Sequence, residues 1–168
     1  NVNYIEIKGD MSILNHVAAT ITHDTLYIST DLPYSTRITP ITVIVSCYSE
    51  ISEIKVKGAS SVKGTLLLNL GYLNIGINES SSLDLSIRAG IINLDASGVS
   101  KVSLSGSTNL FYSVISGSSS LIANNLQTSV NDVKLSGVSS AFVNAQKELS
   151  YDVSGASILK YNSSPKLT

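Results

Sequence analysis

Gly98-Val-Ser-Lys-Val, Gly117-Ser-Ser-Ser-Leu and Gly137-Val-Ser-Ser-Ala recur along the chain, with Gly58-Ala-Ser-Ser-Val before them and Gly155-Ala-Ser-Ile-Leu after. The glycines stand 40, 19, 20 and 18 residues apart, so the first gap spans two repeats and hides a corner at Asn78-Glu79. With Glu79 in that corner, the residues two positions on are Ser60, Ser81, Ser100, Ser119, Ser139 and Ser157. Two further on come Val62, Leu83, Val102, Leu121, Ala141 and Leu159. Two before the corner come Val56, Ile77, Ala96, Ile115, Leu135 and Val153. A period of two is the signature of a strand, whose side chains point alternately to opposite faces.

One such repeat of about 20 residues cannot bury its own apolar face, but stacked repeats bury it against the turns above and below. The pattern therefore predicts an all-β, single-stranded β-helix, or β-solenoid, with about 20 residues per turn over residues 54–161. Each turn is expected to be two or three short strands, with further bends at Gly64, Asp84, Gly106, Asn124, Asn144 and Asn162. Gly58, Gly98, Gly117, Gly137 and Gly155 are expected at corners that need positive φ or close approach. The six serines share the parity of the apolar residues and are expected to point inward as a structural ladder, bonding one another or the corner backbone rather than reacting.

Before residue 54 the repeat is weaker. Tyr4-Ile-Glu-Ile-Lys-Gly-Asp-Met-Ser-Ile-Leu resembles the strand, glycine and serine theme, and Thr25-Leu-Tyr-Ile-Ser and Ile41-Thr-Val-Ile-Val read as strands, with Pro33 and Pro40 bounding a loop or edge. Residues 1–53 are expected to form irregular turns and a cap, and residues 162–168 a C-terminal cap or tail, within a single domain over 1–168.

The chain has 168 residues and a net charge of −1; Ile, Leu and Val supply 51 residues, Ser 31, and charged residues only 14%. That balance is too apolar for a disordered chain. The absence of a broad basic field argues against nucleic acid as a partner. Apolar runs such as Ile41 to Val45 and Leu66 to Leu70 are strand-length, so no membrane insertion of this segment is expected. Cys47, the sole cysteine, excludes an internal disulfide and a cysteine-based zinc cluster, and reads as a buried small hydrophobe.

The Ser-Gly-x-Ser-x-Leu/Val turn, Pro40-Ile-Thr-Val-Ile-Val followed by Ile54-Lys-Val-Lys-Gly-Ala-Ser-Ser-Val, and the closing Val153-Ser-Gly-Ala-Ser-Ile-Leu-Lys-Tyr resemble the head-GIN-domain family of putative auto-transporter adhesins. The resemblance covers roughly Thr25 to Pro165, with Asn162 where the family has glycine after the closing tyrosine. It implies a bacterial, exported β-solenoid found in the periplasm, at the outer membrane or on the cell surface. It supplies no catalytic motif.

The residues point away from catalysis as well. His16 and His23 lie in the least regular region, and the chain has no Gly-x-Ser-x-Gly elbow. Asp95 and Asp152 share an outward column but stand three turns apart, about 14 Å, beyond the roughly 5–9.5 Å of a glycosidase pair. No metal or other cofactor is expected. Ile122 and Phe142, outward neighbours on adjacent turns, are a candidate contact surface. The reading is a non-enzymatic adhesin or envelope-binding module whose partner is a glycan or envelope protein, with homo-oligomers compatible. The rival classes are a bactofilin-like self-assembling scaffold and a carbohydrate-active β-helix enzyme.

Overall fold

A computed structural model describes residues 2–31, 40–47 and 51–168. They fall into two compact units, Asn1–Ser49 and Glu50–Thr168.

In the first unit, β1 (Val2–Lys8) pairs antiparallel with β4 (Thr42–Cys47), and β2 (Val17–Thr22) pairs antiparallel with β3 (Thr25–Thr30). The irregular turns expected over residues 1–53 thus take the form of antiparallel pairs, outside the parallel register that begins at Glu53. His23 and Asp24 join β2 to β3 with φ of 46° and 62°. Positive φ at both central residues suits a two-residue hairpin turn, because its twist matches that of the strands. Between β1 and β2 the expected glycine-serine bend is a single helical turn, α1 (Met11–Leu14). Asp10 causes it by capping: its carboxylate accepts from the Ser12 backbone N–H at 3.0 Å and from the Ser12 hydroxyl at 2.9 Å. These two bonds hold the Asp10 carboxyl below the usual carboxylate range. The segments holding Pro33 and the side chain of Cys47 lie outside the described residues.

The second unit is a β-solenoid. Strands β5 (Glu53–Val56), β6 (Ser61–Ile77), β7 (Ser82–Ala96), β8 (Lys101–Ile115), β9 (Ser120–Leu135), β10 (Ser140–Val153) and β11 (Ile158–Asn162) pair parallel in chain order. Ser61, Ser82, Lys101, Ser120, Ser140 and Ile158 stack as one column, 21, 19, 19, 20 and 18 residues apart. The final strand β12 (Lys166–Leu167) pairs parallel with β10 at Glu148 and Leu149, so the segment after Pro165 extends a rung.

Every rung corner has a left-handed backbone: φ is 78° at Gly58, 64° at Glu79, 77° at Gly98, 71° at Gly117, 78° at Gly137 and 69° at Gly155. At each corner after Gly58 the next residue's N–H donates to the corner carbonyl of the preceding turn, as in Ser118 to Gly98 and Val138 to Gly117, both at 2.8 Å. The hydrogen-bond ladder therefore continues around the corner, and at Gly98, Gly117, Gly137 and Gly155 the backbones close up until an added Cβ would lie 2.7, 2.5, 2.6 and 2.5 Å from the carbonyl oxygen of the preceding corner.

Elsewhere the turn differs from the expected set of short strands. Each full rung is one strand of 14 to 17 residues, and Asp84, expected at a bend, sits inside β7 paired with Lys63 and Ser103. The strand bends without breaking because the inward parity switches. Ser81, Leu83, Leu85, Ile87 and Ala89 are buried, then Ile92, Leu94 and Ala96. The switch recurs at Gly71, Gly90, Asn109 and Ser129, where two successive residues span the bend.

The core runs along the solenoid axis in columns, one of them Leu73, Ile92, Phe111, Asn131 and Leu149, each at most 1% exposed. Asn131 is the polar member. Its amide donates to Thr128 Oγ1 at 2.8 Å, and Thr128 in turn donates to the Asn144 carbonyl at 2.9 Å.

Candidate functional site

Ser60, Ser81, Ser100, Ser119, Ser139 and Ser157 stand one residue before the stacked column that starts at Ser61, so they too lie rung on rung. Ser81, Ser100, Ser119 and Ser139 are buried, Ser157 is half-buried and Ser60 is exposed. The hydroxyls mostly serve the corner backbone. Ser81 donates to the Gly58 carbonyl at 3.0 Å, Ser119 to Gly98 at 3.3 Å and Ser157 to Gly137 at 3.4 Å, while Ser100 turns to the Ser97 carbonyl at 2.6 Å. Ser139 donates to the Ile115 carbonyl at 3.3 Å and lies 3.1 Å from Ser157 Oγ. The backbone N–H of Ser100 donates into Ser119 Oγ at 3.2 Å. A hydroxyl so placed supplies a donor where two corners meet.

The outer surface is also organised in columns. Lys63, Asp84, Ser103, Ile122, Phe142 and Lys160 form one. Ile122 is exposed and Phe142 half-buried, and they are neighbours on adjacent rungs between a serine and a lysine. Asp95, Val114, Lys134 and Asp152 form another, which leaves the two carboxylates three rungs apart. Among the described residues, no group of three or more His, Cys, Asp or Glu is placed to hold a metal ion, and no helix is long and apolar enough to cross a membrane.

Among the described residues, shallow grooves interrupt this surface. The first, about 370 Å³, is lined by Glu53, Asn74, Gly76, Asn93, Asp95 and Tyr112 among others. Asn74, Asn93 and Tyr112 are successive members of one column, and the Asn93 amide donates to Asn74 Oδ1 at 3.1 Å and to the Tyr72 hydroxyl at 2.8 Å. Gly76, between Lys55 and Asp95, lacks the side chain that would fill the groove. The second, about 350 Å³, is lined by Leu67, Arg88, Gly106, Ser107, Asn125 and Gln127. Sequence reasoning named neither groove. The 19-residue spacing of Asn74 and Asn93 was the available signal for the first.

The family described as "Putative auto-transporter adhesin, head GIN domain" matches residues 1–165. The chain belongs to this family. The match takes in the N-terminal segment, which the resemblance drawn from Thr25 to Pro165 had left out. A putative adhesin from Bacteroides fragilis is 22% identical, with a TM-score of 0.88 over 97% of this chain and 75% of its own. Putative adhesins from Parabacteroides merdae and Parabacteroides distasonis are 14% and 19% identical, with TM-scores of 0.75 and 0.73, each alignment covering 98% of this chain and 78% of theirs. No curated protein matches the chain. These solved structures share the fold of the head GIN domain described here. They add independent support for the β-solenoid fold.

Proposed function

We propose that this head GIN domain is a non-enzymatic adhesion module, exported to the bacterial periplasm, outer membrane or cell surface, that binds a glycan or an envelope protein through its lateral faces. The observation that carries this reading is the outer surface of the solenoid. Parallel ladders hold hydroxyl, amide and tyrosyl side chains in columns at strand spacing, so that a long ligand can touch several rungs at once. Contacts that are weak one at a time gain from such preorganised repetition, because later contacts form at high effective concentration. The engagement of the inward serines with corner carbonyls and the separation of Asp95 from Asp152 weigh against an enzyme. Membership of a family described as adhesins supports export.

A glycan array probed with the purified chain, together with a pull-down from an envelope fraction, is expected to return at least one partner, and cell fractionation is expected to find the protein outside the cytoplasm. Empty results in both binding assays, with the protein confined to the cytoplasm, would overturn the proposal.

A further inference from the structure

The groove around Arg88 has a chemistry of its own. Two outward columns border it: Leu67, Ser86, Ser105 and Asn125 form one, and Asn69, Arg88, Ser107 and Gln127 the other. Between them Ile87 and Leu126 point into the core, each fully buried. At Gly106 the floor is bare backbone: a Cβ there would lie 2.1 Å from the Ile87 carbonyl oxygen, and φ is 112°. A β-bulge completes the arrangement. Ser103 pairs with Ile122 but Ser105 pairs with Asn125, so Ala123 and Asn124 together face Leu104. The extra residue moves inward parity from Ala123 to Leu126 and sets Asn125 and Gln127 on the outer face. Bulges commonly re-aim side chains in this way beside functional sites.

Among the described residues, Arg88 is the only charged one lining this groove, and it takes part in neither ion pair, Lys8–Glu6 or Lys55–Glu53. Its guanidinium is permanently charged and presents a planar fork of donors that matches a carboxylate. Ser107, Asn125 and Gln127 add a hydroxyl and two amides that both donate and accept, which suits sugar hydroxyls. Leu67, 44% exposed, offers an apolar wall for the C–H face of a ring.

We propose that this groove binds a carboxylate-bearing saccharide, with Arg88 holding the carboxylate and Ser107, Asn125 and Gln127 reading neighbouring hydroxyls. The proposal rests on the adhesion reading and specifies its ligand class. An acidic peptide could present the same carboxylate, but the hydroxyl and amides beside Arg88 favour a sugar.

The test is a calorimetric or NMR titration of the full chain with trigalacturonate and with sialyllactose, beside the methyl-esterified form of each. At least one acid is expected to bind, at least tenfold more tightly than its neutral ester. Arg88→Gln is expected to weaken that binding at least tenfold, and Asp95→Asn, in the other groove, to leave it unchanged. Arg88 is exposed, so an unaltered melting curve is expected to show that the variant is folded. Binding by neither acid, equal binding of acid and ester, no effect of Arg88→Gln, or tighter binding of a poly-glutamate peptide than of either sugar would each overturn the assignment. If Arg88→Gln keeps every partner found on the array, the groove is wrong while the adhesion reading stands. If array and pull-down are both empty and the protein is confined to the cytoplasm, the reading beneath it fails.

Discussion

Gly117→Ala is expected to destabilise the solenoid by more than about 3 kcal/mol, whereas Gly58→Ala should cost only about 1 kcal/mol. The two corners share a left-handed backbone, with φ of 71° and 78°, so each substitution carries the usual cost of placing an L side chain there. They differ in what lies beside them. A Cβ on Gly117 would sit 2.5 Å from the Gly98 carbonyl oxygen and 3.1 Å from its nitrogen, atoms that the corner hydrogen bonds hold in place. A Cβ on Gly58, on the first corner of the stack, meets nothing closer than Ser60 Oγ at 4.0 Å. Urea unfolding of the two variants checks the difference. Equal midpoints would mean that corner packing between rungs contributes nothing beyond the local backbone preference.

Phe111→Ala is expected to cost about 3–5 kcal/mol, as for other buried aromatic truncations. Phe111 is one of two phenylalanines in the chain, 1% exposed, and its column neighbours Ile92 and Asn131 are held at strand spacing by the ladders on either side. The rungs cannot close over the lost ring without breaking those ladders, so the cavity remains. At roughly 2–4 °C per kcal/mol for a chain of this size, the thermal midpoint should fall by at least about 6 °C. Phe142→Ala removes the same ring from an outward, half-buried position beside Ile122 and should shift the midpoint far less. Similar losses from the two variants would contradict the assignment of inside and outside.

The stacking was legible from the glycine and serine columns because corner chemistry is nearly invariant along the axis. Only one backbone conformation closes the corner, and Glu79 betrays itself by parity rather than by residue type. The second bend left no comparable mark. Gly71, Gly90, Asn109 and Ser129 share no side-chain chemistry, and pairs such as Ile91-Ile92 conceal the switch of parity within an apolar run. Gly64, Asp84 and Asn124 look like turn formers, yet the ladder carries the strand through Asp84. In the first unit, the Asp10 cap outweighs the strand-like pattern around Met11. The Arg88 groove could not be assembled by counting. A constant 19-residue step from Arg88 reaches Ser107 and then the buried Leu126, and only the bulge at Ala123 and Asn124 puts Gln127 in that column.

Successive turns of the second unit stack in parallel, one strand spacing apart, along a common axis. Spin labels at Lys63 and Ile122, and at Lys63 and Lys160, in a Cys47→Ser background, measure this stacking directly by pulsed electron resonance, since all three positions belong to one outward column. Three and five strand spacings place their backbones about 14 Å and about 24 Å apart. Label distances centred near these values, with the second pair longer by about two spacings, are the predicted result. Distances that do not grow with the number of turns between the labels would contradict the solenoid and the binding faces built on it.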